Sequence, residues 1–418
     1  MKKNVIDCII IGAGPSGMMA AGTIAEKGKE VMILEKMSKP CLKLGITGKG
    51  RCNLTNLSDV NEIIEKFNSG GRFLKYALHE WSSRQLIDFF QTKGLKTKVE
   101  RGNRVFPVSD KALEVVGILK DWVRTTGGVL LNNVEILEIV RSKDKVEAVK
   151  YRFQNKVFNQ PCKNIVLATG GLSYPRTGST GDGYQLAEKL GHNIVQPKPA
   201  LVPLTTDSRS LILKDLKLKN IKAILWSNNK KVCEEFGELD FTDFGVDGPV
   251  ILTMSTKVVK AVEKKEKIEL SIDLKPALDN IQLKNRIIRE IKQLGSREII
   301  HLLKKLLPGK LADFYMEEMK IDKATKCTQF TAEQRKRLEA WLKNFQIKIT
   351  GYRPIAEAIV TSGGVNLKEI NPVTMESKLL SNLYIVGELL DIDAKTGGYN
   401  LQAAFSTGYV AGKAIGTK

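Results

Sequence analysis

Three glycines near the start of the chain have the spacing of a dinucleotide-binding turn. Gly12, Gly14 and Gly17 follow a β-branched run and precede an alanine-rich segment, so the pattern predicts a strand, a tight turn and a helix. The next apolar run ends in Glu35. In such a unit the helix N-terminus attracts a pyrophosphate, and the acid accepts hydrogen bonds from ribose hydroxyls. A carboxylate disfavours a 2′-phosphate, so FAD or NAD fits better than NADP.

Segments farther along the chain indicate which dinucleotide is bound. Residues 43–56 are polar, glycine-rich and basic, so they can line a ligand with backbone N–H groups and cations. One apolar strand ends in the small residues 168–171, and another ends at 387–388, shortly before a final helix that opens after 397–398. These pieces, in this order, resemble the FAD domain of two-dinucleotide-binding flavoproteins. The sequence has no second GxGxxG motif, and hence no separate nicotinamide domain is expected.

The chain more specifically resembles the BaiN/YhiN-like flavoproteins, a family also labelled aminoacetone-oxidase family FAD-binding enzymes. The resemblance rests on residues 45–56, 168–183, 360–365 and 375–400. It implies an α/β fold in which a Rossmann-like FAD-binding domain is interrupted by a β-barrel-like domain and a small helical domain. One segment, 241–249, matches the family less well, because it carries two additional carboxylates.

The expected domain boundaries follow from changes in residue pattern. The FAD-binding domain comprises 1–195 and 351–418, the β-barrel-like insertion comprises 196–275 and 345–350, and the small helical domain comprises 276–344. Short strand-like runs separated by turns mark the insertion. Capping boxes, in which a first-turn Gln follows Asp279 or Thr331 by three positions, mark two of its helices.

The motif positions and the resemblance together predict the cofactor contacts. Flavin reduction puts negative charge on the N1/O2 edge of the ring, and the helix after Gly398 would stabilise it, with glycine permitting a close backbone approach. Glu388 is expected to accept hydrogen bonds from the ribityl chain, and Val134 to meet the adenine through its backbone. The full expected set is Gly12, Ala13, Gly14, Pro15, Ser16, Gly17, Glu35, Lys36, Lys43, Thr47, Gly48, Arg51, Cys52, Asn53, Val134, Thr169, Gly170, Gly387, Glu388, Asp391, Gly398, Asn400 and Leu401.

No catalytic residue is assigned from the sequence. The three histidines, His79, His192 and His301, lie outside every motif, which favours surface or structural roles. Tyr399 and Cys52 flank the expected ring position, and the neighbouring arginine suggests a lowered pKa for the Cys52 thiol. The six cysteines include no CxxC pair, which predicts neither a zinc site nor a disulfide scaffold and favours a reducing, cytoplasmic location.

The resemblance implies an FAD-dependent oxidoreductase that transfers hydride through flavin N5. The first hypothesis is NAD(P)H-linked reduction of a C=C bond or enone in a small or steroid-like molecule, with NAD(P)H binding transiently as electron donor. The second is an oxidase of a small amine such as aminoacetone that uses oxygen. The third is a basic, RNA-associated flavoprotein, suggested by the formal net charge of +20.

The distribution of charge bears on possible partners. The chain has 66 Lys+Arg against 46 Asp+Glu, yet residues 351–418 contain six of each, and no basic tail or aromatic-interleaved stripe is visible. The pattern therefore predicts no specific nucleic-acid partner. No apolar run reaches the roughly 18–20 residues of a spanning helix, so no membrane partner is expected either. The sequence leaves the substrate and the oligomeric state open.

Overall fold

The structure is a computed structural model that describes residues 5–418. It divides into two compact units, one built from the described residues up to Ala200 together with Ile355–Lys418, the other from Leu201–Pro354. These divisions lie close to the expected boundaries at 195/196 and 350/351. Among the described residues, no helix has the length and apolar character needed to cross a membrane.

Strands, helices and short 3₁₀ turns alternate along the chain. The strands β1 to β20 are Ile6–Ile11, Val31–Leu34, Thr55–Asn56, Phe67–Ser69, Thr97–Glu100, Arg104–Pro107, Val129–Leu131, Glu135–Arg141, Val146–Phe153, Lys156–Leu167, Ile194–Ala200, Leu204–Thr206, Lys217–Ser227, Lys230–Phe241, Gly245–Asp247, Ile268–Asp273, Phe345–Tyr352, Val360–Val365, Leu383–Ile385 and Asp393–Ala394. The helices α1 to α14 are Pro15–Ala25, Leu42–Ile46, Val60–Glu65, Lys75–Glu80, Ser83–Thr92, Ala112–Thr125, Asp182–Lys189, Ser208–Leu211, Pro249–Glu263, Asn280–Leu294, Ile299–Leu306, Gly309–Glu318, Ala332–Lys343 and Tyr399–Gly416. The 3₁₀ turns are Pro175–Thr177, Cys327–Gln329, Ile355–Glu357, Leu367–Glu369 and Gly387–Leu389.

A seven-stranded sheet organises the first unit. Strands β7, β2, β1, β10 and β19 run parallel in that order, and β9 and β8 extend the sheet antiparallel from the first half of β10. Ile9 and Ile10 of β1 are fully buried, as expected for a central strand covered on both faces. The parallel order brings the carboxyl ends of β2, β1, β10 and β19 to one edge. The predicted Rossmann-like α/β fold is thus confirmed.

Helices α1 and α14, from opposite ends of the chain, pack closely through glycines. A Cβ at Gly408 would lie 2.2 Å from the carbonyl oxygen of Ser16, and a Cβ at Gly412 would lie 2.7 Å from the Cβ of Thr23. Gly416 continues the same helical face one turn later and faces Lys27. The two helix backbones therefore approach more closely than a side chain at these positions would allow, which joins the two ends of the chain into one unit.

The second unit combines a closed barrel with helices. The barrel order is β12-β15-β14-β13-β16-β17. The capping boxes predicted at Asp279 and Thr331 are both present, at the starts of α10 and α13. Leu270 of β16 and Leu283 of α10 belong to one continuous hydrophobic core. The segment expected to form a separate helical domain therefore shares a compact unit with the barrel.

His192 lies in a buried hydrogen-bonded cluster of the first unit. Its Nδ1 is 2.9 Å from Glu369 Oε2, and its Nε2 is 3.0 Å from the Ser377 hydroxyl. The Ser377 oxygen also accepts the backbone N–H groups of Leu379 and Leu380. Serine, histidine and glutamate thus hold the turn at residues 377–380 in place, which is a structural role. Burial lowers the pKa of His192, and the hydrogen bond with Glu369 opposes part of that shift.

Gly408→Ala should lower the free energy of unfolding by about 1–3 kcal/mol, because the new methyl group would overlap the α1 backbone. The matched control is Gly117→Ala in α6, where nothing lies within 4 Å of the added Cβ. This control should be neutral or stabilising by up to about 1 kcal/mol, since alanine is the better helix former. Chemical denaturation of both variants measures the difference, and equal effects would contradict the packing argument.

The stability of the protein should fall as the pH drops below about 6.5, the ordinary pKa of an unfolded histidine. Because the pKa of folded His192 is lowered, the unfolded chain binds the additional proton first, and acid favours unfolding in that window. Denaturation of the wild type and of His192→Gln at pH 7.5 and 5.5 tests this, with the exposed His79→Gln as control for the loss of a histidine. A wild-type pH difference that persists unchanged in His192→Gln would refute the assignment.

Candidate cofactor site and active site

The glycine turn after β1 directs the N-terminus of α1 toward the edge of the sheet. Gly12 has φ +102°, and a Cβ there would lie 2.6 Å from the Ala168 carbonyl oxygen, so only glycine fits. Gly14 is the N-cap of α1; among the described residues no side chain caps this end, and nothing lies within 4 Å of a Cβ at Gly14. Pro15, the first helical residue, has no N–H, so the donors that this end offers an anion are the uncapped N–H groups of the residues that follow it.

Glu35 lies at the end of β2, across the glycine turn. Its Oε2 accepts the Ala13 N–H at 2.8 Å, and its Oε1 accepts the Met37 N–H at 2.8 Å. The residue is 8% exposed. Two backbone bonds thus fix the carboxylate, and each oxygen retains a second acceptor site that suits a ribose hydroxyl.

The loop of residues 178–183 is bonded to the end of β2, next to Glu35. The Lys36 ammonium is 2.6 Å from Asp182 Oδ2 and also bonds the Thr180 hydroxyl, which ties residues 178–183 to the end of β2. The Val134 N–H donates to the Glu35 carbonyl at 2.9 Å. An adenine contact by Val134 would consequently use its carbonyl oxygen or displace that bond.

Two buried polar atoms at the carboxyl edge of the sheet have no hydrogen-bond partner within residues 5–418. They are Thr169 Oγ1, after β10, and Asn132 Oδ1, after β7. Buried polar atoms in folded proteins nearly always have a partner, so both atoms are exceptions that the polar groups of a ligand would satisfy. With the open N-terminus of α1 and the fixed Glu35 carboxylate, they fit the adenosine and pyrophosphate portion of FAD.

Lys43 and Glu388 form a partly buried ion pair farther along the same edge. The Lys43 ammonium is 2.7 Å from Glu388 Oε2 and 2.6 Å from the Ser173 hydroxyl. Glu388 Oε1 accepts the Thr361 N–H at 2.8 Å and the Ser173 hydroxyl at 3.1 Å. The sequence indicated Lys43 and Glu388 but missed Ser173 and Thr361, although both lie in segments that carry the family resemblance. A ribityl hydroxyl would share the Glu388 carboxylate with these donors.

The turn before α14 packs against residues 53–57. Gly398 has φ +96°, and a Cβ there would lie 2.5 Å from the Thr55 carbonyl oxygen, so the chain itself requires glycine here. The expected reason, close approach to the flavin, is not needed to explain it. With its amide oriented to satisfy both neighbours, Asn53 accepts the Gly398 N–H at 3.1 Å and donates to the Thr55 carbonyl at 3.2 Å. The Asn400 amide bonds both the N–H and the carbonyl of Ala394, at 2.9 and 3.0 Å.

Arg51 is bound by carboxylates of the hairpin that β5 and β6 form. Its guanidinium is 2.5 Å from Glu100 and 2.7 Å from Asp110, and it lies 4.3 Å from the centroid of the Phe106 ring. The predicted contact of Arg51 with the ring or the pyrophosphate would therefore use the donors that these pairs leave free. The structure brings Arg51 into contact with the hairpin, which the sequence did not indicate.

The two expected proton donors are buried. Cys52 is 0% exposed, and burial raises its pKa to about 12, so the expected lowering by the neighbouring Arg51 is wrong. The guanidinium instead interacts with Glu100 and Asp110. Tyr399 is 7% exposed, and burial raises its pKa as well. Both groups hold their protons at neutral pH.

The other predicted residues lie in or beside the loops at this edge. They are Pro15, Ser16 and Gly17 in α1, Thr47 and Gly48 after α2, Gly170 after β10, Gly387 and Asp391 after β19, and Leu401 in α14. A Cβ at Gly387 would lie 2.5 Å from the Ser16 hydroxyl oxygen, so the loop after β19 contacts the start of α1. The structure thus gathers segments from both ends of the chain around one edge of the sheet.

The chain belongs to the HI0933-like family. The family model, described as the HI0933-like protein Rossmann domain, matches residues 6–414. It is 30% identical over 411 residues to the ribosomal RNA dihydrouridine synthase of Haemophilus influenzae, covering 97% of this chain and 98% of that protein. It is 29% identical over 412 residues to the 3-dehydro-bile acid delta(4,6)-reductase of Clostridium scindens, again covering 97% and 98%. The resemblance to BaiN/YhiN-like flavoproteins and the assignment as an FAD-dependent oxidoreductase are confirmed.

A solved structure shows the same fold. The 3-ketosteroid-delta4-(5alpha)-dehydrogenase of Rhodococcus jostii RHA1, in complex with 4-androstene-3,17-dione, matches with a TM-score of 0.54 at 12% identity. The match covers 100% of this chain and 98% of that one. At this identity the likeness concerns the fold alone.

Glu35→Gln should weaken FAD binding by roughly ten- to a hundredfold, because the neutral amide offers one acceptor oxygen in place of two charged ones. Losing a hydrogen bond to a charged group costs about 1.5–3 kcal/mol, and each step of about 1.4 kcal/mol is a factor of ten. Flavin absorbance per mole of purified protein and a fluorescence titration of the stripped protein measure the effect. Glu138→Gln, an exposed position on β8, removes the same charge away from the site and should leave FAD binding unchanged. Equal FAD affinity in both variants would argue against the assigned role of Glu35.

Proposed function

We propose that this member of the HI0933-like family is an FAD-dependent reductase that saturates a C=C bond conjugated to a carbonyl, with NAD(P)H as electron donor. Two near-full-length relatives carry the proposal, one named a 3-dehydro-bile acid delta(4,6)-reductase and the other a ribosomal RNA dihydrouridine synthase. Dihydrouridine differs from uridine by two hydrogens across C5–C6, a bond conjugated to the C4 carbonyl. A 3-keto group is likewise conjugated to a Δ4,6 diene. The two substrates look unrelated, yet the bond reduced is of one kind.

The residues of this chain would bind the cofactor and orient the substrate. The N-terminus of α1 and the Glu35 carboxylate would hold the pyrophosphate and the ribose. When bound, FAD would supply the hydride for the β-carbon of the conjugated system. The N–H groups at the start of α14 would stabilise negative charge that develops nearby. Overall, NAD(P)H and one proton are consumed, and two C–H bonds form.

The substrate predicted from the sequence is a small or steroid-like enone, and the charge of the chain favours a second candidate, uridine in RNA. The formal net charge is +20. Attraction between cations and phosphates supplies much of the affinity of proteins for nucleic acids, whereas a bile acid has a single carboxylate and gains less from it. Together with the relative named for ribosomal RNA, this leads us to favour uridine in RNA over the sequence-based expectation of no nucleic-acid partner.

Incubation of the FAD-loaded protein without oxygen, with NADH or NADPH, tests the reaction. The substrates offered separately are an unmodified ribosomal RNA transcript and a 3-keto-Δ4,6 steroid. We expect NAD(P)H oxidation matched by dihydrouridine, which mass spectrometry of the digested RNA detects. Glu35→Gln, prepared without added FAD, is the matched low-flavin control.

The outcomes separate the candidate functions. Steroid reduction with unchanged RNA would retain the reductase and remove the RNA substrate. Rapid oxidation of aminoacetone by oxygen, without NAD(P)H consumption and without reduction of either conjugated substrate, would overturn the reductase in favour of an amine oxidase.

A further inference from the structure

The hairpin of β5 and β6 has more cations than its carboxylates can neutralise. Residues 93–111 contain six Lys or Arg and two acids. Both acids are already paired: Asp110 is 2.7 Å from Arg51 and 2.7 Å from Lys98, and Glu100 is 2.5 Å from Arg51. These pairs hold the pKa values of both carboxyl groups below their ordinary range. The remaining cations therefore keep an unbalanced positive charge.

Arg101 and Arg104 stand at the tip of this hairpin. Arg101 is exposed, and neither guanidinium forms an ion pair within the part of the chain that the structure describes. Arg104 Nε donates to the Arg101 carbonyl at 3.0 Å, and its guanidinium lies 5.9 Å from the centroid of the Phe106 ring. The tip thus presents two arginines without counter-ions. The hydrogen bond to the Arg101 carbonyl restrains the orientation of the Arg104 side chain. The planar fork of an arginine matches phosphate oxygens in both geometry and charge.

Asn56 ties the hairpin tip to the turn before α14. Its Nδ2 donates to the Gly102 carbonyl at 3.0 Å and to the Gly397 carbonyl at 3.1 Å. The Leu57 N–H donates to the Asn103 carbonyl at 2.8 Å, so the two segments are bonded on both sides of the tip. Residues 397–398 precede the helix that we expect to face the reducible edge of the flavin. Arg101 and Arg104 therefore lie beside the turn at 397–398, where we expect the flavin and hence the base that reacts with it.

We propose that Arg101 and Arg104 bind the RNA phosphates that flank the uridine to be reduced. This inference rests on the RNA substrate proposed above. A base must leave its stack before its C5–C6 bond can lie against a flavin, and the flanking backbone then needs fixed partners outside the site. A hairpin bonded rigidly to the active-site turn provides them. The two arginines therefore act in binding and positioning the substrate rather than in the chemical step.

The test compares two double variants that each remove two positive charges. Arg101→Gln/Arg104→Gln changes the tip, and Arg141→Gln/Lys143→Gln changes two exposed cations at the end of β8. RNA binding is measured between 50 and 300 mM salt with a uridine-containing single-stranded oligonucleotide, and KM and kcat with the ribosomal RNA transcript. Melting temperature and FAD content of every variant keep misfolding separate from lost recognition.

The tip variant should reduce the slope of log affinity against log salt by about 1.4, since each single-strand phosphate contact contributes about 0.7. At about 0.15 M salt this corresponds to roughly a tenfold rise in the KM for RNA, with little change in kcat. The control should retain the wild-type slope. Arg101→Lys/Arg104→Lys keeps the charge and should restore most of the affinity.

Other outcomes overturn the inference in distinguishable ways. If the wild type reduces the RNA and the tip variant keeps its slope and KM, the inference falls and the proposed function stands. Equal losses in the tip and control variants would show general charge attraction and would also overturn it. If the wild type neither binds nor reduces the RNA, the RNA substrate falls together with this inference.

Discussion

The close contact between α1 and α14 is the constraint on which the first unit depends. These helices come from opposite ends of the chain, and their backbones meet where Gly408 faces Ser16. A larger side chain there would separate the helices and move the start of α14 away from the glycine turn after β1. Because both helix N-termini belong to the candidate cofactor site, a packing contact between backbones sets the geometry of the chemistry.

The site is assembled from side chains that are far apart in sequence. Lys43, Ser173, Thr361 and Glu388 form one hydrogen-bonded group, and the segment around Asn56 connects the β5–β6 hairpin to the turn before α14. Half of the hydrogen bonds that hold these groups join a side chain to the backbone, which restricts where the side chains point. The protein thus offers a cofactor a largely preformed edge.

The net charge of the chain does not show where unpaired charge lies in the fold. The total of +20 is spread over most of the sequence, and on its own it describes solubility and general attraction to anions. Ion pairing changes this picture, because Glu100 and Asp110 neutralise Arg51 and Lys98 and leave the arginines at the hairpin tip unbalanced. A charge that is diffuse along the sequence can therefore be locally unbalanced in the fold, as it is at the tip of this hairpin.

The sequence by itself determined the β1-α1-β2 unit, the acid at Glu35 and the capped helices α10 and α13, because each depends on residues a few positions apart. Motif resemblance also predicted that Lys43 and Glu388 belong to the cofactor site. Only the tertiary structure decided that these two side chains bond each other, that Cys52 is buried with a raised pKa, and that the Thr55 carbonyl already demands glycine at 398. The physical reason is that burial and hydrogen-bond pairing depend on which distant segments come into contact, and local spacing carries no information about that.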